Sequence, residues 1–271
     1  MSILTVEQIS KSFGACQAVN HVSFDINHGD IVGFLGKNGA GKTTLMRIVT
    51  SFLTASAGRV FIDGDDITKH SLTIRKKIGY LPETPPLYTN MTVFQYLKFA
   101  AEIKEVSSKR LNLQIAKVLE ECNLTHVKQK IITTLSKGYK QRVGIAQAIV
   151  HEPKLLILDE PTSGLDPMQI QQVLALINDQ REQRTVLLST HTLTEIEKIA
   201  QRILIIKSGQ LIVNKPLKTL LNDNVEKGII NTNNKSITEA LNPPPLPLSL
   251  EQVFINAHQA QLPAQNSRAE V

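Results

Sequence analysis

Apolar and polar residues alternate in two early stretches, residues 2–9 and 17–26. In the second, Val19, Val22, Phe24 and Ile26 supply the apolar positions, as in half-buried antiparallel strands. The pattern then changes. Ile31 to Leu35 is a continuous apolar run ending at a glycine, typical of a strand covered on both faces. A helix carrying Leu45, Ile48 and Val49 is expected after it, and further strands at Arg59 to Ile62 and Ile78 to Leu81. From Pro82 to about Val150 the spacing is helical. Thr92 stands as an N-cap before Val93, Leu97 and Ala100. A second helix carries Leu111, Ile115, Val118 and Leu119, and a third starts near Tyr139 and runs through Ile145 to Ile149. Apolar runs return at Leu155 to Leu158, Thr185 to Leu188 and Ile203 to Ile206, with helices between them. Strands alternating with helices predict an α/β core with a parallel sheet, interrupted by a helical insertion over about 84–150.

The composition shifts beyond Lys215. Asparagine becomes frequent, and Asn242 to Pro247 excludes a regular helix or a central strand. Ser249 is expected to cap a short helix containing Leu250, Val253 and Phe254, and the last dozen residues to be disordered. The predicted organisation is a main domain over 1–217 and an accessory extension over 218–271. No internal repeat is present.

At 271 residues, with 42% hydrophobic and 20% charged side chains, the chain reads as a soluble protein of one or two domains. No apolar run reaches the ~20 residues that span a bilayer. The first ten residues lack the basic flank of a secretory signal. Cys16 and Cys122 lack metal or redox spacing and are expected to be free thiols in a reducing cytosol. The net charge of +6 is the sum of +7 over the first 217 residues and −1 over residues 218–271. That balance suits a protein holding an anionic nucleotide beside anionic lipid headgroups. Tryptophan is absent and no basic stripe is interleaved with aromatics, so no nucleic-acid partner is expected.

Gly36-Lys37-Asn38-Gly39-Ala40-Gly41-Lys42-Thr43-Thr44 fits G-x-x-x-x-G-K-[ST] between a buried strand and a helix. Glycines let backbone N–H groups curl around phosphate oxygens, and the helix N-terminus adds positive potential. Lys42 is expected to reach the β- and γ-phosphates and Thr43 to ligate Mg²⁺. Leu155 to Leu158 leads into Asp159 and Glu160, a metal-holding aspartate and a candidate general base. Asp166 and Pro167 read as an N-cap and first helical residue. Leu135-Ser136-Lys137-Gly138-Tyr139 reads as a helix-start loop, and His191 follows the strand T-V-L-L-S-T.

In this order the motifs resemble the ATP-binding subunits of ABC (ATP-binding cassette) transporters. The resemblance covers residues 1–217 closely and the tail weakly. It implies a P-loop NTPase core with a mixed β-sheet, an antiparallel β subdomain and an inserted α-helical subdomain. It also implies ATP and Mg²⁺ as ligands. Gly36, Asn38, Gly39, Gly41, Lys42, Thr43 and Thr44 would hold the nucleotide, and Phe13 would stack on adenine unless it packs in the core. Thr43, Asp159 and Glu83 would face the metal. Lys42, Glu160 and His191 would serve hydrolysis, His191 contacting the γ-phosphate and orienting the attacking water. Ser136 and Gly138, in place of the usual L-S-G-G-Q, would bind the nucleotide of a second subunit, and Asp166 would lie at the seam between subunits. Glu83 stands where the family has glutamine, and Phe13 where it has tyrosine. The Y-L-P-E-x-x-P-L-Y stretch, L-S-K-G-Y-K-Q-R and S-L-E-Q-V-F resemble ABC-2-type exporter ATPases, within them the gliding-motility-type branch. The implied partners are a multi-spanning membrane permease and a second ATPase subunit, with the chain on the inner face of the cell membrane. The alternative is a soluble ABC ATPase acting on a cytosolic assembly.

Overall fold

The computed structural model describes residues 2–69, 71–222 and 249–259. β1 (Ser2–Phe13) and β2 (Cys16–Asn27) form a hairpin, and β3 (Ile31–Leu35) leads through the glycine-rich loop into α1 (Lys42–Val49). β4 (Ala57–Ile62) and the short β5 (Asp65–Asp66) are followed by α2 (Ser71–Lys77) and β6 (Ile78–Leu81). Three helices come next: α3 (Val93–Ile103), α4 (Ser108–Glu121) and α5 (Lys137–Ile149). The remainder is β7 (Leu155–Asp159), α6 (Pro167–Asp179), β8 (Thr185–Thr190), α7 (Leu193–Ile196), β9 (Arg202–Lys207), β10 (Gln210–Pro216) and α8 (Leu250–Gln259).

The strands form two sheets. An antiparallel sheet runs β2-β1-β4-β5, and a mixed sheet runs β10-β9-β3-β8-β7-β6. In the mixed sheet β9, β3, β8, β7 and β6 are parallel, and β10 is antiparallel at one edge. The continuous apolar run of β3 has its reason here: Ile31 and Leu35 enter one core, Val32 and Phe34 the other. The first core joins the sheet to α3–α6; the second lies under α1 and the antiparallel sheet.

The caps expected from sequence are formed. Thr92 Oγ1 accepts from Gln95 N–H, and the Gln95 side chain accepts from Thr92 N–H, a reciprocal capping box. Asp166 accepts from Gln169 N–H at 2.9 Å, with Pro167 at the first helical position. Ser249 Oγ accepts from Gln252 N–H at 3.4 Å, and Leu250 and Val253 are buried. The third helix starts at Lys137, slightly before the expected start near Tyr139, because Ser136 takes the extended cap conformation. α2, β5 and β10 were not anticipated. The stretch from Asn242 to Pro247 and the last dozen residues lie outside the described residues. Both cysteines are free thiols; burial pushes Cys122 up.

Candidate functional site

Ligand sites of parallel sheets form beyond the carboxyl ends of the strands. In this sheet the neighbours β3, β8, β7 and β6 each end in a loop that carries a candidate residue. β3 runs into Gly36 and Lys42, β8 into His191, β7 into Asp159 and Glu160, and β6 into Glu83. Strands lie about 4.8 Å apart, so the whole set falls within about 15 Å. A cavity of about 380 Å³ opens there, lined by Asn38, Gly39, Gly41, Lys42, Thr43, Thr44, Glu83, Glu160 and His191. Ala18 and Ser163, the latter at the head of the Ser163-Gly164-Leu165-Asp166 stretch, complete the lining; Ala18 was not singled out from sequence.

Gly41 has φ +109° at the N-cap of α1, and a Cβ there would meet the Ala18 carbonyl oxygen at 2.5 Å. Only glycine satisfies both conditions. The loop thereby delivers Lys42 into the cavity floor. Its ammonium donates to the Gly36 carbonyl at 2.6 Å and the Lys37 carbonyl at 3.3 Å. It also lies 3.8 Å from Glu160 Oε1, and both side chains are nearly fully buried.

Glu160 is gripped from two sides. Its Oε2 lies 2.8 Å from His191 Nδ1, and its backbone N–H donates to Ser189 Oγ at 3.0 Å. The Ser189 hydroxyl in turn donates to Asp159 Oδ1 at 2.6 Å. Asp159 is wholly buried, and its other carboxylate oxygen, Oδ2, has no protein partner. A buried carboxylate oxygen without a donor costs about 1–3 kcal/mol. A divalent cation held by Thr43 and Asp159 would relieve that cost, and Glu83 faces the same cavity. The residues present therefore fit a metal ion of Mg²⁺ chemistry.

The other sequence candidates sit elsewhere. Phe13 lies on the β1–β2 hairpin, half exposed, outside both cores and off the cavity lining; Lys11 Nζ sits 5.2 Å above its ring. The core-packing alternative for Phe13 is thus set aside. Ser136 caps α5, its Oγ accepting from Tyr139 N–H at 3.5 Å. Gly138 is buried against Gln169 of α6, and Arg142 of α5 bonds Gln172 of α6. The Lys137 ammonium occupies the place where a side chain at Gly164 would begin. Tyr139 is held by His126 Nε2 at 2.9 Å and by the Arg142 guanidinium over its ring. Ser136, Gly138 and Asp166 therefore gather at the N-terminal ends of α5 and α6 and line no part of this chain's own cavity.

This loop set on this sheet is specific, and the family model for ABC transporters matches residues 19–163. The chain belongs to the ABC transporter family, as an ATP-binding cassette. It is 38% identical over 221 residues to the bacitracin transport ATP-binding protein BcrA of Bacillus licheniformis, covering 81% of this chain and 71% of that protein. It is 34% identical to the lipopolysaccharide export system ATP-binding protein LptB of Haemophilus influenzae, covering 84% of this chain and 97% of that protein. Among solved structures, an ATP-binding subunit of an ABC transporter superposes with a TM-score of 0.78 at 28% identity, covering 95% of this chain and all of that one. ATP is therefore the nucleotide of the cassette and ATP hydrolysis its reaction. Among the described residues, no helix of the cassette is long and apolar enough to cross a membrane.

Proposed function

We propose that the cassette powers an ABC-2-type exporter as one of two ATPase subunits bound head to tail, each nucleotide lying between them. The observation carrying this reading is the division of the site. Lys42, Thr43, Glu160 and His191 line one cavity, with Asp159 joined to Glu160 through the Ser189 hydroxyl, whereas Ser136 and Gly138 stand at a helix start outside it. A second copy would bring that helix start, with its positive end, onto the γ-phosphate. Relatives named for bacitracin transport and lipopolysaccharide export support the exporter reading.

In this scheme Lys42 exchanges its loop carbonyls for phosphate oxygens. Thr43 and Asp159, with Glu83 nearby, would hold Mg²⁺, which would supply positive charge against the phosphates. Glu160 accepts a proton from the attacking water as its oxygen bonds to the γ-phosphorus. The bond to the bridging oxygen breaks, leaving ADP and inorganic phosphate. His191 holds Glu160 in line, and Phe13 offers its exposed ring face to adenine. Loss of the γ-phosphate removes the contact with Ser136 and Gly138 and reopens the pair.

The permease would dock on the groove beside β6. This groove of about 350 Å³ is lined by Thr50, Ser51, Phe52, Arg75, Ile78, Tyr80 and Lys104, and Phe52 is 79% exposed. It adjoins the strand that leads into Glu83, so movement there would reach the nucleotide cavity. The division into a main domain over 1–217, a helical insertion over about 84–150 and an extension over 218–271 fits this coupling. The working location is the inner face of the cell membrane, through the permease.

Glu160→Gln tests the scheme. Expected are retained ATP binding, turnover lowered at least about a hundredfold, and an ATP-dependent dimer by size-exclusion chromatography. Ser136→Arg should leave ATP binding to the monomer intact and prevent that dimer. Wild-type turnover in the first variant, or monomer affinity lost in the second, rejects the assigned roles.

A further inference from the structure

Helix α8 is tied to the neighbourhood of the hydrolytic site at both of its ends. At its start, Leu250 N–H donates to Glu197 Oε1 at 2.7 Å, and Glu197 is the residue that closes α7. Leu250 and Val253 are buried in the same core as Ile196 and Ile199. At its end, the His258 carbonyl accepts from Lys207 Nζ at 2.7 Å. Lys207 ends β9, and the turn after it supports the phosphate loop, with Gly209 N–H donating to the Ala40 carbonyl at 3.0 Å. His258 also lies within electrostatic reach of Lys37 in that loop. A helix of this length is marginal in water by itself, so packing and end contacts sustain it.

The element it covers is the one that follows the catalytic histidine. α7 is a single turn, beginning two residues after His191, and too short to fix its own position. One side of α7 is anchored where Thr162 Oγ1 donates to Glu195 Oε2 at 2.6 Å, both buried, two residues beyond Glu160. The other side packs against α8.

We propose that α8 is a positioning element for hydrolysis. Through Glu197 and the Leu250–Val253 face it fixes α7, and α7 fixes His191 against Glu160. This rests on the roles given above to His191 and Glu160. Among the described residues no α8 side chain lines the nucleotide cavity, so the helix acts on turnover and not on nucleotide affinity.

The test uses the full-length chain, with kcat and KM from steady-state ATP hydrolysis and affinity from a fluorescent ATP analogue. Val253→Glu, which undocks α8, should lower kcat about tenfold, as small misplacements of catalytic groups do. KM and affinity should stay within about twofold. Glu197→Ala should lower kcat in the same direction, and Glu197→Gln, which keeps an acceptor oxygen, should restore most of it. Combined with His191→Ala, neither Val253→Glu nor Glu197→Ala should cause further loss, because an effect transmitted through the histidine vanishes without it. Losses that multiply in the His191→Ala background overturn the proposal. So does wild-type kcat in Val253→Glu and Glu197→Ala beside an inactive His191→Ala. Wild-type kcat in His191→Ala itself overturns the reading of the site, and the proposal with it. Should Val253→Glu prove insoluble, the Glu197 pair and its combination with His191→Ala decide alone.

Discussion

Glu160 has φ +50°, a left-handed backbone that costs a non-glycine residue of order 1 kcal/mol or more. The cost is met by Ser189, whose hydroxyl and carbonyl both accept from Glu160 N–H while the hydroxyl also donates to Asp159. Ser189→Ala would leave a second buried oxygen of Asp159 without a donor. The expected result is a loss of about 1–3 kcal/mol in urea unfolding, together with reduced turnover as Glu160 loosens. The sequence displays Ser189 only as part of the strand T-V-L-L-S-T. Its role follows from the parallel register that pairs Asp159 with Ser189 across β7 and β8, and no local pattern specifies that register. Lys42 and Thr43 were legible because the phosphate loop is built from adjacent residues and needs no distant partner. Glu160 and His191 were legible through the resemblance and through their places after apolar strands. Their mutual contact was not.

At the scale of elements, the strands that read clearly were those buried on both faces, such as β3, β7 and β8. β10 was missed because its apolar run, Leu211 to Val213, is shorter than the about 4–8 residues that mark a strand, and Asn214 to Pro216 follow it. β6 is also an edge strand, yet its outward carbonyls are occupied. His151 Nε2 lies 2.9 Å from the Ile78 oxygen, Lys104 Nζ donates to the same oxygen at 3.3 Å, and Gln147 donates to the Tyr80 oxygen at 3.0 Å. Lys104 ends α3, so the helical insertion is fastened to the strand that carries Glu83. Burial holds His151 neutral, its pKa lowered from 6.5 to about 4. As pH falls the unfolded chain takes up this proton first. The contribution to stability is complete above pH 6.5 and is lost toward pH 4, at about 1.4 kcal/mol per pH unit inside that window. His151→Gln keeps a donor without titrating, so its thermal midpoint should fall less than that of the wild type between pH 6.5 and 4.5. Parallel curves would assign the acid sensitivity to other groups.

On the scale of the molecule, one sheet presents the nucleotide cavity beyond its strand ends and the groove beside β6. Phe52 stacks near Tyr80 at the mouth of that groove, with ring centroids 6.4 Å apart. Phe52→Glu should abolish co-purification with the permease while ATP affinity stays within about twofold. Persisting co-purification would move the docking surface elsewhere. The fold class was legible as a whole, since strand–helix alternation survives any local misreading. The proposed half-site rests on the resemblance, because the residues that would complete it belong to another molecule.

The occupied edge of β6 has a further consequence for the chain in a crowded cell. A sheet edge with free carbonyls is a template on which strands of other proteins can add, the first step toward aggregation. Here the side chains that join insertion to core already hold the Ile78 and Tyr80 oxygens. The fastening that links the two parts of the cassette also guards its solubility.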